Sequence, residues 1–143
     1  MKNCFLILFF ELLSLAMAAQ ISHTLPSEAT AFYQSSIKKF PGHVANFIEE
    51  SASSLDKRHI NYDSLFGAIT NRKEFRNYSA RECRNISLLI LISCASKAES
   101  DLKKRVMQLQ SKDQSDQKFE STEKLVQRKS DLAEMVSVQM KNH

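Results

Sequence analysis

The sequence predicts an all-α protein: a bundle of four to five helices, with a buried central helix over about residues 80–110 and a long C-terminal helix. Three observations predict it. The 143 residues include only 2 Gly and 2 Pro, whereas a many-stranded β fold needs a tight turn every ~8–12 residues. Apolar residues recur at helical spacing in successive segments. Finally, Ser79-Ala80-Arg81-Glu82 has the pattern of a capping box, which marks a helix start.

The first 18 residues have the features of a secretory signal peptide. Lys2 precedes an apolar run that only Glu11 interrupts, and Ala16-Met17-Ala18 offers small residues for cleavage. An uncleaved anchor helix is the alternative, but the run is short of the ~20 residues that span a bilayer, and Glu11 would be costly at its centre. We therefore expect a signal peptide at 1–18 and a secreted, single helical domain at 19–143, without a later membrane span.

Two helices are predicted in the first third of the secreted chain. Thr24 and Ser27 offer caps for the first helix, and Pro26 suits its first turn. Helical spacing continues until Pro41-Gly42 ends the segment, and the second helix is predicted from about Val44. The two apolar stripes are Phe32, Tyr33, Ile37 and Phe40 in the first helix, and Phe47, Ile48, Ala52 and Leu55 in the second.

The sequence predicts the third helix less strongly than the fourth. Asp63 or Ser64 is expected to cap a short third helix, which Gly67 weakens by roughly 1 kcal/mol. The fourth helix should begin at Ala80 and is apolar on every side over Leu88–Ile92, as in a helix surrounded by others. A strand over the same run is the main competing interpretation. The capping box before it and the one-sided apolar stripe after it favour the helix.

The last helix follows a polar stretch, Gln110–Gln117, that has the composition of a turn. Its apolar residues are Phe119, Leu125, Val126, Leu132, Met135, Val136 and Met140. This spacing predicts a helix that packs back along the central one.

Basic residues exceed acidic ones by four, and the whole excess lies in residues 61–111, which carry nine basic and five acidic residues. The predicted basic surface comprises Arg72, Lys73, Arg76, Arg81, Arg84, Lys103, Lys104 and Arg105. Such an excess excludes nucleic acid as a partner, because nucleic-acid patches are denser and contain stacking aromatics. Acidic cell surfaces or heparan-like polymers are the alternative partners, and a merely solvated helix face is the simpler interpretation.

Two cysteines, Cys83 and Cys94, remain once Cys4 leaves with the signal peptide. Two cysteines in an oxidising compartment suggest one disulfide. In an unbroken helix, however, their eleven-residue separation places them about 16 Å apart along the axis, whereas a disulfide needs Cα atoms within about 7 Å. Three outcomes remain: the helix breaks between the cysteines, the cysteines pair with other chains, or they stay buried as thiols. We expect an uninterrupted helix and no intramolecular bond.

Two N-glycosylation sequons occur, at Asn77-Tyr78-Ser79 and Asn85-Ile86-Ser87. Asn77 precedes the capping box and is expected to be exposed, which makes it the better acceptor. Asn85 lies in the first turns of the central helix, where a glycan requires an outward-facing position.

The sequence contains no recognisable catalytic or metal-binding pattern. The histidines, at positions 23, 43, 59 and 143, have no metal-ligand spacing, and no Gly-x-Ser-x-Gly elbow is present. Glu49-Glu50 is expected to lie on a solvated face, since adjacent helical residues point about 100° apart. We therefore predict a protein without catalytic residues, metal or cofactor. The dibasic pair Lys57-Arg58 leaves proteolytic processing open as a minor alternative.

The chain resembles the small helical proteins that insect male accessory glands secrete into seminal fluid. The shared features are the Ala-x-Ala end of the leader, the Cys83…Cys94 helix with its Leu88–Ile92 core, and basic flanks. The resemblance implies a role in the mated female or in sperm handling, through binding to an extracellular protein or a cell-surface receptor. It carries over no functional residue.

Two rival functions come from other classes. One is a cytokine- or hormone-like ligand that presents a polar helix face to a receptor. The other is a carrier of an apolar small molecule, held between helices lined by Phe32, Phe40, Phe47, Phe66 and Phe119. Aromatics at helical spacing also build an ordinary core, which is the simpler interpretation of these residues.

Overall fold

The computed structural model describes residues 23–56, 58–111 and 122–143, and over these ranges the chain is helical without strands. The helices are α1 (Ser27–Ile37), α2 (Gly42–Ser54), α3 (Tyr62–Thr70), α4 (Ala80–Ser111) and α5 (Thr122–Lys141), with a 3-10 turn at Lys73–Phe75. The all-α prediction is confirmed, as are the central and C-terminal helices. The predicted signal peptide, Lys57 and Phe119 lie outside the described residues.

Helix α4 is the centre of the bundle. Within the described ranges, each of the main helix–helix contacts pairs α4 with α1, α2, α3 or α5. Residues 86–92 are all at most 2% exposed, so this stretch is enclosed on every side. Further along, Leu102 and Val106 are half-buried and Leu109 is buried, as expected of a one-sided stripe. The alternative of a strand at Leu88–Ile92 is wrong.

The capping box at the start of α4 forms as predicted. The Ser79 backbone N–H donates to Glu82 Oε2 at 2.7 Å, and the Glu82 N–H donates to Ser79 Oγ at 3.2 Å. The Ser79 hydroxyl donates to the same carboxylate at 2.8 Å. These bonds hold the pKa of Glu82 below its usual value, the backbone bond contributing most. The box thus satisfies helix N–H groups that no preceding turn could reach.

The starts of the first two helices differ from the prediction. Neither Thr24 nor Ser27 caps α1: Pro26 occupies the N-cap position and makes no side-chain cap bond. Pro41 likewise precedes α2, so Pro41-Gly42 begins the second helix rather than ending the first, which stops at Ile37. Both prolines have φ near −58°, an angle that the pyrrolidine ring fixes and that suits the entry to a helix.

The cap of α3 is also not the predicted one. Asn61 accepts the Ser64 backbone N–H on its side-chain oxygen at 3.0 Å, while Asp63 and Ser64 lie inside the first turn. Asn is among the strongest N-cap residues, and its backbone here is extended, as a cap requires. Gly67 lies inside α3 with open space around it, so nothing in the packing requires a glycine there.

An ion cluster links the end of α2 to α4 and α5. Asp56 binds Lys97 at 3.3 Å and Arg128 at 4.0 Å, and Arg128 also binds Asp101 at 3.6 Å. The Arg128 side chain is only 13% exposed, so its guanidinium depends on these carboxylates for solvation. The cluster fixes the position of α5 on the central helix.

Replacement of Ser79 by Ala is expected to destabilise the protein by about 1 kcal/mol, because the N-cap hydroxyl is lost. Glu82→Gln keeps a hydrogen-bond acceptor but loses the negative charge. Its loss of stability relative to the wild type should therefore appear at neutral pH only. The lowered pKa of Glu82 means that its contribution is present above the unfolded pKa and disappears as pH falls through the folded one. Urea unfolding at several pH values measures both effects. Ser53→Ala, at an exposed position of α2, is the control, and a deficit of Glu82→Gln that persists in acid would contradict the charge argument.

Candidate binding surface at the start of helix α4

An aromatic cluster joins three segments of chain beside the start of α4. The rings of Phe47 and Phe75 meet edge to face at 4.9 Å, and Phe75 meets Tyr78 in the same way at 5.5 Å. Tyr78 in turn contacts Phe40 at 6.4 Å. The turn between α1 and α2 therefore lies against the segment that leads into α4.

This arrangement adds Lys38 and Lys39, which neighbour Phe40, to the predicted basic residues. We define the basic end of the bundle by seven exposed side chains: Lys38, Lys39, Arg72, Lys73, Arg76, Arg81 and Arg84. The same segments, 38–43 and 61–84, hold three carboxylates, Asp63, Glu74 and Glu82, so their net charge is 7 − 3 = +4. These segments are therefore distinctly basic, and the aromatic cluster brings them together.

Arg72 makes two contacts within the protein. Its Nε donates to Glu74 at 2.9 Å, and its guanidinium lies over the Phe47 ring at 4.6 Å from the centroid. The hydrogen bond from Arg72 holds the pKa of Glu74 below its usual value. Arg84 acts on Tyr62: burial raises the pKa of this phenol, and the nearby Arg84 charge opposes the rise. Arg72 thus braces the aromatic cluster, and Arg84 extends the positive charge towards α3.

Arg81 and Arg84 occupy the first two turns of α4, where the helix dipole is positive. A cation at a helix N-terminus is disfavoured by about 0.3–1 kcal/mol. The cap already supplies the acidic residue that this terminus needs, in Glu82. Helix stability therefore does not explain either arginine.

The remaining predicted basic residues lie elsewhere. Lys103, Lys104 and Arg105 follow Arg84 by about 28 Å along the axis of α4, since each helical residue rises 1.5 Å. Lys103 and Lys104 are exposed and Arg105 is half-buried. The helix therefore divides the predicted surface into two groups, and Lys38 and Lys39 join the first of them.

The two sequons have different surroundings. Asn77 is exposed and lies between Arg76 and Tyr78, inside the basic end. Asn85 is half-buried, and its Oδ1 is shielded from solvent without a hydrogen-bond partner. The prediction that Asn77 is exposed is confirmed, whereas Asn85 is the less exposed of the two asparagines.

Cys83 and Cys94 lie on the same continuous helix, as predicted, and both are free and buried. The unbroken helix keeps them about 16 Å apart along its axis, beyond the reach of a disulfide. Cys94 Sγ lies 3.7 Å from the carbonyl oxygen of Ala52. Burial raises the pKa of Cys94 to about 11 and also raises that of Cys83. Both thiols are thus shielded from oxidants and held in the unreactive form.

In the folded protein, both thiols are expected to resist an aromatic disulfide reagent at pH 7.4 and to react once denaturant is added. Because the folded pKa of Cys94 lies above the unfolded value of 9.0, this thiol lowers stability as pH rises from about 9 towards 11. Cys94→Ala should therefore show a shallower loss of stability over that range. Rapid labelling of the folded protein would contradict the burial of the thiols.

A further polar contact involves Tyr33 and Glu49. The Tyr33 hydroxyl donates to the Glu49 carboxylate, an α1–α2 contact that the expectation of a merely solvated Glu49 missed. Burial, followed by the bond to Glu49, raises the pKa of Tyr33, so the phenol stays protonated and cannot act as a base at neutral pH. Within residues 23–56, 58–111 and 122–143, no three His, Cys, Asp or Glu side chains are grouped to hold a metal.

The four phenylalanines of the carrier hypothesis that the structure describes have different surroundings. Phe40 and Phe47 belong to the aromatic cluster, whereas Phe32 contacts the His143 ring at 5.0 Å. Phe66 is half-buried against the core. A cleft exists between residues 58–60 and α5, and none of these rings lines it.

Comparison with protein-family models, with curated proteins and with solved structures finds no match to this chain. Among the helices that the structure describes, none is both long and apolar enough to cross a bilayer.

Proposed function

We propose that this chain is a secreted, non-enzymatic binding protein that attaches to acidic polysaccharide outside the cell through its basic end. The observation that carries the proposal is the net charge of +4 on the segments 38–43 and 61–84, which the aromatic cluster joins. The aromatic cluster supports it, because it holds the turn at Lys38 and Lys39 against the segment that carries Lys73 and Arg76. A fixed array of cations attracts a polyanion more strongly than the same charges dispersed.

The surroundings of these cations favour sulfated or carboxylated sugars over nucleic acid. Single-stranded nucleic acids stack their bases on exposed aromatic rings. Here Phe75 is buried, and Phe40, Phe47 and Tyr78 are half-buried against each other. Polysaccharide sulfates require only charge-assisted contacts, which lysine and arginine supply.

Retention on immobilised heparin tests the proposal. Lys73→Glu/Arg76→Glu is expected to weaken binding at least tenfold at physiological salt. Lys103→Glu/Lys104→Glu changes the net charge by the same amount at the other group, and should weaken binding less than twofold. Binding should fall with added salt, because exposed charges are screened over about 8 Å at 0.15 M. An equal loss in both variants would show that net charge alone drives retention.

Secretion and glycosylation form the second part of the proposal. Expressed in eukaryotic cells, the protein is expected in the medium, beginning at Ala19 and carrying one glycan on Asn77. Removal of N-glycans should increase its gel mobility, and Asn77→Gln should already migrate at that position. Asn85→Gln is the matched control and should leave mobility unchanged. Intact Met1 in terminal sequencing, or wild-type mobility of Asn77→Gln, would contradict this part.

The resemblance to insect accessory-gland proteins supports seminal fluid as the setting. In that setting the acidic partner would be a sugar coat on sperm or on the female tract. Immunodetection across tissues of the source animal tests the setting, with male accessory gland as the expected site of synthesis. Detection in other tissues alone would reject the setting without affecting the binding surface.

A further inference from the structure

A cleft of about 240 Å³ lies between the segment after α2 and the side of α5. Its floor is apolar: Ile60 and Leu132 are 6% and 5% exposed, and Met135 packs against the main core. The polar groups around it are Arg58, His59, Lys124, Gln127, Arg128 and Asp131. An apolar floor with a few polar groups at the rim is the usual construction of a small-molecule site.

The charge at the rim is predominantly positive. Three cationic side chains line the cleft against one carboxylate, that of Asp131, which accepts a hydrogen bond from Gln127 Nε2 at 2.7 Å. Arg128 is held in place by Asp56 and Asp101. Arg58 is exposed, and among the residues that the structure describes it has no ion pair. Arg58 is therefore the cation best able to turn towards a ligand at the mouth.

From this arrangement we infer that the cleft binds a small anionic amphiphile, a medium-chain carboxylate whose tail lies on Ile60, Leu132 and Met135 and whose head group meets Arg58. Three side chains form the apolar floor, which suits a medium-chain tail such as that of hexanoate or octanoate. The site shares no residue with the basic end and does not depend on the polysaccharide proposal.

A homologous series distinguishes this site from general anion binding. Titration of the purified, full-length secreted protein with butyrate, hexanoate, octanoate and decanoate is expected to show affinity rising about fourfold per methylene. The rise should stop when the tail fills the cleft. Amide chemical-shift changes in an NMR titration should map to residues 59–60 and 124–135. Shift changes elsewhere, or an affinity independent of chain length, would overturn the inference.

Reversing the charge at Arg58 tests its contact with the carboxylate head group. Arg58→Glu is expected to weaken octanoate binding at least tenfold and to leave binding of 1-octanol unchanged, because a charge-assisted contact is lost while the apolar floor remains. Lys103→Glu makes the same charge change at an exposed residue that does not line the cleft, and should have no effect. Equal affinity of the wild type for octanoate and 1-octanol would overturn the role of Arg58. Heparin retention of Arg58→Glu should equal that of Lys103→Glu, so the two proposals can fail separately.

Discussion

Leu89→Ala is expected to reduce the free energy of unfolding by about 2–5 kcal/mol, because a fully buried leucine in the centre of α4 leaves a cavity when truncated. Domains of this size are stable by only about 5–15 kcal/mol. The substitution therefore removes a large share of the total and lowers the unfolding midpoint in urea. The unfolding transition should also become less cooperative, since α4 is the common partner of the other helices.

Met107→Ala is the control for that measurement. Met107 lies on the same helix and is 67% exposed, so its truncation should change stability by less than about 0.5 kcal/mol. Similar losses in the two variants would contradict the placement of residues 86–92 at the centre of the core. Both are read in one urea titration followed by circular dichroism.

Arg128→Ala, which removes the central cation of the ion cluster, is expected to reduce the free energy of unfolding by about 2–3 kcal/mol. Removing the guanidinium leaves Asp101 without the cation 3.6 Å away, whereas Asp56 keeps Lys97 at 3.3 Å. Breaking a buried ion pair on one side typically costs about 3–5 kcal/mol, and the partial exposure of the two carboxylates reduces that figure. The loss should persist in 1 M salt, because a side chain that is 13% exposed is poorly screened.

Lys97→Ala removes the other cation from Asp56 and provides the comparison. The Lys97 side chain is 43% exposed, so its ion pair should contribute about 0–1 kcal/mol and should vanish in salt. Urea unfolding of both variants at low and high salt measures the difference. Equal costs, or salt sensitivity of the Arg128→Ala deficit, would contradict the structural role given to Arg128.

The features predicted from sequence are those that depend on neighbours along the chain. The capping box at Ser79 and the apolar run of α4 lie in one register, so the start, continuity and burial of this helix follow from local chemistry. The cap of α3 was ambiguous for the same reason: Asn61, Asp63 and Ser64 are all good cap residues within one turn, and only the backbone conformation selects Asn61. Propensity predicts that Pro41 ends the first helix, whereas it precedes the start of the second; Pro26, predicted in the first turn of α1, occupies its N-cap position.

The candidate sites depend on contacts between distant segments, which composition does not encode. Lys38 and Lys39 join the basic end only because Phe40 meets Tyr78 across 38 positions of sequence. Lys103 and Lys104 leave it because the helix between is rigid. The Tyr33–Glu49 bond, the Arg128 ion pairs and the cleft beside Ile60 each require the crossing of two or more helices. Sequence supplied the charges, and packing decided which of them meet.

The central position of α4 has a consequence for synthesis on the ribosome. Helices α1 to α3 precede α4 in the chain, and their main tertiary contacts within the described residues are with α4 rather than with one another. Translation proceeds at about 5–20 residues per second. The apolar faces of α1 to α3 therefore lack their partner helix for several seconds, until Ile92 has been added. The nascent chain therefore emerges as separate amphipathic segments and acquires a core in one late step, when the seven enclosed residues of α4 become available to all of them.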